Sequence, residues 1–212
     1  MKTKKLDFIE IDYTGKIKET DKIFDLTSEK EAKNNNVFQE NHEYKPVIIC
    51  LGKQDLIKGL DDFLIGKETN NDYTIEISSE NGFGNKKQEL IKLVPTTIFK
   101  KENIQPFPGL QVNLNGMVAT IKTVSGGRTL VDFNHPLSGK DLIYNVKINK
   151  IITDLKEKVE SILKQITKDF KLEIKEKEVI IEANIDPKIE KEIKDRIPEL
   201  TKVTIKNSKT KQ

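Results

Sequence analysis

The sequence predicts an α+β fold in which short strands and hairpins outnumber helices. Three observations predict it. Several runs alternate apolar and polar residues with the period of two of half-buried strands, as in Ile9, Ile11 and Tyr13 against Glu10, Asp12 and Thr14. The pairs Asn115-Gly116 and Gly126-Gly127 separate strand-like pieces as hairpin turns do. After Thr153 the spacing turns helical, with Leu155, Val159, Ile162, Leu163 and Ile166 repeating along one face.

Taken in order, the first strand ends in a turn at Gly15, and Lys22 to Leu26 forms a second strand carrying Phe24. The polar stretch from Thr27 to Tyr44 reads as a loop with room for a short helix. Pro46 to Leu51 is a strand stopped by Gly52. Asp55 to Leu64 reads as a helix, because Leu56, Ile57, Leu60, Phe63 and Leu64 form an apolar stripe and Gly66 suits its C-terminal cap. Tyr73, Ile75 and Ile77 mark a further strand, and Ser78 to Gly84 a turn-rich loop.

From Lys86 to about Val131 the character changes. Val94-Pro95 breaks the chain, and Pro106, Pro108 and Gly109 form a turn cluster. Strand-like pieces follow at Gln111 to Leu114, Met117 to Val124 and Thr129 to Phe133, so this is a small β-rich module of its own. A last alternating strand, Leu142 to Ile148, sets Leu142, Tyr144, Val146 and Ile148 on one face.

Beyond Thr153, Asp154 and Glu157 resemble a capping box opening a helix. Strands at Lys171 to Lys175 and Val179 to Ala183 follow, joined by a turn around Glu176-Lys177. Asp186-Pro187 is an N-cap with an N1 proline, Ile189 and Ile193 point inward from a second helix, and Val203 and Ile205 close the unit as a strand. A unit of about 60 residues buries too little apolar surface to stand comfortably alone. Its apolar faces are expected to be covered by self-association into a homodimer or by docking onto the rest of the chain.

Charge excludes several function classes. The chain has 212 residues, 37 basic and 34 acidic, interspersed, for a net charge of +3. A nucleic-acid binder would segregate its basic residues into a patch. The Lys-rich ends, Lys2, Lys4 and Lys5 and then Lys202, Lys206, Lys209 and Lys211, read as solvated termini, so no specific nucleic-acid partner is expected. No run approaches the roughly 18 apolar residues of a membrane span. No apolar segment follows Met1-Lys2-Thr3-Lys4-Lys5, so neither a signal peptide nor a membrane partner is expected and the location is read as cytoplasmic. Cys50 is the single cysteine and sits in the run Val47-Ile48-Ile49-Cys50-Leu51, which reads as a buried strand position. The two histidines, His42 and His135, have no partner at metal-ligand spacing, so no metal site and no cofactor are expected. No phosphate loop or nucleophile elbow is present.

Four separated motifs carry a family resemblance. They are Tyr13-Thr14-Gly15 with Phe24-Asp25, the stretch Leu51-Gly52-Lys53-Gln54-Asp55-Leu56-Ile57-Lys58-Gly59-Leu60 running on to Gly66, the loop Asn81-Gly82-Phe83-Gly84, and Asn134-His135-Pro136-Leu137-Ser138-Gly139-Lys140-Asp141-Leu142. In this order, over residues 5 to 150, they resemble the FKBP-type peptidyl-prolyl cis/trans isomerases, in particular the SlyD-like form; the C-terminal unit resembles that of long archaeal members. The resemblance implies a curved antiparallel sheet wrapped over one short helix. It implies an isomerase domain at 1–85 and 132–152, an insert-in-flap chaperone domain at 86–131, and a C-terminal αβ domain at 153–212.

Position by position, the resemblance assigns the pocket walls to Tyr13, Phe24, Leu56, Ile57, Leu60, Phe83 and Tyr144, with Val47 on the substrate-binding side and Asp25 as the polar edge. The Ile57 N–H would hold a substrate carbonyl at the start of the helix, where free N–H groups occur. Each apolar member is also an ordinary core residue at strand or helix spacing. Asp25 is the informative one, because an acid directly after an inward Phe serves no packing purpose. In the insert, Val94, Ile98, Phe99, Phe107 and Leu110 are the candidate anchors for an unfolded chain.

Leu60 stands where many members carry Trp and SlyD-like members often carry Leu, and Phe83 stands where a Tyr hydroxyl would bond the substrate. Losing one such bond costs about 0.5–1.5 kcal/mol, so turnover would fall about tenfold without vanishing. The expected partners are unfolded or proline-containing polypeptides. A client-binding chaperone with a vestigial pocket is the second expectation, and a static ribosome-associated adaptor the third.

Overall fold

A computed structural model describes residues 1–114 and 116–206. Asn115, expected in a hairpin turn, and the terminus from Asn207, with Lys209 and Lys211, lie outside the described residues. In chain order the elements are β1 (Phe8–Ile17), β2 (Ile23–Leu26), α1 (Glu29–Asn34), β3 (Val47–Cys50), α2 (Lys58–Leu64), β4 (Asp72–Ile77), β5 (Ile91–Pro95), α3 (Thr96–Lys101) and β6 (Gln111–Leu114). Then follow β7 (Met117–Ser125), β8 (Arg128–Asp132), β9 (Leu142–Ile152), α4 (Leu155–Lys164), β10 (Lys171–Lys175), β11 (Glu178–Glu182), α5 (Ile189–Arg196) and β12 (Lys202–Lys206). The fold is α+β. It divides into two compact units, one of residues 1–16, 22–75 and 143 onward, the other of residues 17–21 and 76–142.

The sheet centred on the first unit has the order β2-β1-β9-β4, with β3 also on β1. β1 serves two partners: Phe8 to Ile11 pairs antiparallel with β3, and Thr14 to Lys16 with β2. Alternation along β1 sends Phe8 to one face and Ile9 and Ile11 to the other, yet all three are buried, so both faces are covered here. The C-terminal segment covers the Phe8 face. Phe8 and its cross-strand partner Cys50 share a core with Ile152, Val159, Ile162, Leu163 and the inward residues of β11 and α5. That segment is itself a sheet of order β10-β11-β12, with β10 and β11 antiparallel and β11 and β12 parallel, joined through α5. The C-terminal segment docks on Phe8, Cys50 and Ile152 of its own chain, which is one of the two expected ways of covering its apolar faces; a homodimer through another surface of the segment is compatible with this contact.

In the second unit a sheet of order β5-β8-β7-β6 is antiparallel throughout. Its inward residues Val112, Leu114, Ala119, Ile121 and Val131 close over Phe99 from α3. Gly126 and Gly127, at φ +56° and +74°, form the two-residue turn between Ser125 and Arg128, where both central positions need the left-handed conformation. β5 and α3 were not legible in advance. Pro95 reads as a breaker, but here it ends the edge strand β5 and leads straight into α3.

Candidate active site

Tyr13, Phe24, Asp25 and Tyr144 come together in the first unit, and a β-bulge is the cause. Gly15 pairs with Asp25 and Lys16 with Ile23, so Phe24 is the extra residue. In a regular strand Phe24 and Asp25 would point to opposite faces; the bulge re-aims them. Phe24 meets the Tyr144 ring edge-on at 5.7 Å and 81°. Asp25 Oδ2 accepts a 2.7 Å hydrogen bond from Tyr13 Oη, and the Tyr13 ring lies 5.9 Å from that of Tyr144. A Cβ on Gly15 would sit 2.7 Å from Phe24 Cζ and 3.1 Å from Tyr144 Cε1, so the rings close over backbone that carries no side chain.

Burial, then the bond to Asp25 and its charge, push the Tyr13 hydroxyl well above the usual phenol range. Burial and Asp25 raise Tyr144 likewise. Both hydroxyls are therefore neutral donors in a largely apolar setting.

The second side of the site is α2 and the loop before it. The helix expected from Asp55 begins at Lys58, because two carboxylates are used to tie the preceding loop. Asp61 is buried and accepts from Gly52 N–H at 2.9 and 3.1 Å and from Gln54 N–H at 3.3 Å. Asp55 Oδ2 accepts from Cys50 N–H at 2.8 Å, and both Asp55 oxygens lie within 2.7 Å of Arg196 Nη1 on α5. Ile57 caps the helix with extended backbone, and its carbonyl accepts from Leu60 and Asp61 N–H at 3.0 Å. Its own N–H has no acceptor among the described residues. Leu60 is buried on the inner face of α2, and Tyr13, Val47 and Leu56 line a common cleft of about 560 Å³. Sequence reasoning assigned no role to the side chains of Asp55, Asp61 or Arg196. Nothing in the local sequence signals that they turn inward.

Phe83 belongs to the second unit. Its ring stacks on His135 at 4.5 Å and 4°, and its carbonyl accepts from Ser138 Oγ at 3.1 Å. His135 Nδ1 accepts from Leu137 N–H at 3.2 Å, and His42 packs on Tyr44. Among the described residues no group of three or more His, Cys, Asp or Glu could hold a metal ion.

The candidate anchors of the insert separate into two classes. Ile98 and Phe107 are exposed, at 40% and 56%. Phe99 is wholly buried, at the centre of the insert's core, so it is a packing residue and not a surface anchor. Val94 and Leu110 are half-buried against the same core. Leu93, Met117 and Val118 are exposed apolar residues, and the first two had drawn no notice because their strand parity was unknown.

Comparison with known proteins bears on the whole arrangement. The FKBP26 IF domain model matches residues 92–137. A probable FKBP-type 16 kDa peptidyl-prolyl cis-trans isomerase of Pseudomonas fluorescens is 28% identical over 120 residues, 54% of this chain and 79% of that protein. A short-type peptidyl-prolyl cis-trans isomerase of Methanocaldococcus jannaschii is 32% identical over 149 residues, 70% of this chain and 93% of that protein. The chain belongs to the FKBP-type peptidyl-prolyl cis-trans isomerases. Within that family it is also similar to SlyD of Vibrio cholerae, 29% identical over 111 residues, 49% of this chain and 53% of that protein. No helix among the described residues is long and apolar enough to cross a membrane.

Proposed function

We propose that this isomerase rotates X-Pro bonds between Tyr13, Phe24, Leu56, Ile57, Leu60 and Tyr144, and holds unfolded clients on its inserted sheet. The observation that carries the first part is the Tyr13–Asp25 hydrogen bond at 2.7 Å beside the Phe24 and Tyr144 rings. Amide rotation has a barrier of about 18–20 kcal/mol, which X-Pro isomerisation crosses in tens to hundreds of seconds. The twisted amide has lost its resonance and its charge separation is smaller than in the planar form. An apolar pocket therefore favours the twisted state, which is differential binding of the transition state. Desolvation of the carbonyl adds to it.

Named groups then have named work. The Ile57 N–H, without an acceptor of its own, takes a substrate carbonyl at the head of α2. Asp25, held through one oxygen by Tyr13, presents the other toward the bond that twists. No proton moves and no covalent bond forms.

The second part rests on the exposed Ile98, Phe107, Leu93, Met117 and Val118, and on the edge strands β5 and β6, which can accept an added strand from an unfolded chain. Capture there raises the concentration of a client's prolines at the pocket, to about millimolar. We place this work in the cytoplasm, where a lone buried thiol such as Cys50 has no partner to oxidise with. The test replaces the insert by a short Gly-containing turn between Gly84 and Asn134. Peptide isomerisation should stay within about an order of magnitude, and refolding of a proline-limited protein should fall much further. Equal loss in both assays would mean that the insert only supports the pocket.

A further inference from the structure

β3 has one open edge, and the backbone there is only partly satisfied. β1 is its single strand partner among the described residues. Leu51 bonds toward the β1 side, donating to Asp7 O at 3.0 Å and accepting from Leu6 N–H at 2.9 Å. Cys50 bonds the other way, its N–H to Asp55 and its carbonyl accepting from Lys53 N–H at 3.3 Å. Antiparallel strands alternate, so the N–H and C=O of Ile48 also point away from β1. Neither has a partner among the described residues.

The open edge lines the cleft of about 560 Å³ that also holds Tyr13, Val47 and Leu56. Helix α4 forms its opposite wall, through Glu157, Glu160, Ser161 and Lys164. Pro46, Val47, Ile48, Ile49 and Leu56 give it an apolar lining, and it shares Tyr13 and Leu56 with the residues assigned to the prolyl pocket.

We propose that this cleft is an extended subsite, in which the substrate segment flanking the proline adds as a short strand to β3, under α4. The proposal rests on the isomerase reading of the pocket. The occupant follows from three features together. The cleft shares Tyr13 and Leu56 with the pocket, it offers one unpaired backbone donor and acceptor at Ile48, and it is walled on both sides as an extended chain requires. Charge at the rim sets a preference. Lys45 and Lys164 are already paired, with Glu43 at 2.7 Å and Glu160 at 2.8 Å. Among the described residues Glu157 pairs only with Lys150, at 3.7 Å. A flank carrying Lys or Arg is therefore favoured over one carrying Glu or Asp. The C-terminal segment thus takes part in choosing substrates for a pocket formed by other elements.

The experiment compares a proline tetrapeptide with longer peptides carrying Lys or Glu in the flank, on the full chain and on Ser161→Trp and Glu157→Lys. Two backbone bonds added by the flank lower KM about tenfold for the longer Lys peptide, with kcat unchanged. Ser161→Trp fills the α4 side of the cleft and removes that advantage, so that the ratio of kcat/KM for the longer Lys peptide to kcat/KM for the tetrapeptide falls to about one. Glu157→Lys, an exposed change that leaves packing untouched, reverses the Lys-over-Glu preference. A length advantage that survives Ser161→Trp, or none in the parent, overturns the proposal. If no peptide is turned over, the isomerase reading fails by itself. Anisotropy of the labelled Lys peptide then decides the subsite: weaker binding to Ser161→Trp than to the parent supports it, and equal or absent binding overturns it.

Discussion

Arg196 Nη1 lies 2.6 and 2.7 Å from the two carboxylate oxygens of Asp55, and both side chains are almost wholly buried. Arg196 comes from α5 of the C-terminal segment. Asp55 sits two residues before Ile57, whose N–H opens the candidate site. The pair therefore joins the stability of the C-terminal segment to the order of the loop beside the pocket. Arg196 Nη2 also donates to Glu192 at 2.8 Å, which fixes the guanidinium plane.

Breaking that pair leaves a buried charge uncompensated. Arg196→Ala should lower unfolding stability by about 3–5 kcal/mol, measured in urea at neutral pH. Asp55→Asn, which leaves the guanidinium only the half-exposed Glu192 as a charged partner, should destabilise as well but by less. A loss below about 0.5 kcal/mol for both would place the pair in the class of surface ion pairs.

Gly15→Ala forces a Cβ to within 2.7 Å of Phe24 Cζ. Overpacking of this kind costs about 1–3 kcal/mol. The rings of Phe24 and Tyr144 must move apart, so peptide turnover should fall further than stability does. Turnover equal to the parent's would show that these rings do not bound the reacting amide.

How much of this was legible beforehand depended on how local the signal was. The alternation around Ile9 to Tyr13, the Asp154 cap, whose side chain accepts from Glu157 N–H at 2.8 Å, and the Gly126-Gly127 turn are written in neighbouring residues and were readable. The Asp186-Pro187 start lies just ahead of α5: Asp186 accepts from Lys188 N–H at 2.9 Å, and the helix proper begins at Ile189. Tyr13, Phe24, Asp25 and Tyr144 were named from family motifs, because their proximity depends on a bulge that alternation does not reveal. Asp55, Asp61 and Arg196 were missed because their burial follows from tertiary docking. Phe99 was misjudged for the same reason: strand and helix parity in the insert only emerges once β5 and α3 are seen to pack on β6 to β8.

The insert should separate core from surface. Phe99→Ala should cost about 3–5 kcal/mol in the stability of that unit, as for other buried aromatic truncations. Phe107→Ser with Ile98→Ser should stay within about 0.5 kcal/mol of the parent, because both sites are exposed. The same double variant should lose most suppression of aggregation of an unfolded client. Full suppression by it would remove these two residues from the client surface.

Alkaline pH should weaken the fold. Burial pushes the Cys50 thiol up to about 12, from an ordinary value of about 8.5. Tyr13 and Tyr144 are likewise raised above the ordinary value of about 10. A group whose folded pKa exceeds its unfolded one stabilises fully below the unfolded value and loses that contribution as pH rises. The urea midpoint should therefore decline from about pH 8.5 upward and more steeply past about pH 10. In Cys50→Ala the earlier part of the decline should disappear. A midpoint level to about pH 11 would contradict the burial of these groups.

The measurement that tests the central claim most directly is exchange spectroscopy on a proline tetrapeptide, which reads cis/trans interconversion without a coupled protease. The parent chain should accelerate exchange, and Asp25→Ala and Tyr144→Ala should each lower kcat/KM by about tenfold or more with circular dichroism unchanged. Parent-level exchange in both variants would contradict the pocket assignment, and no acceleration by the parent would contradict the isomerase reading itself.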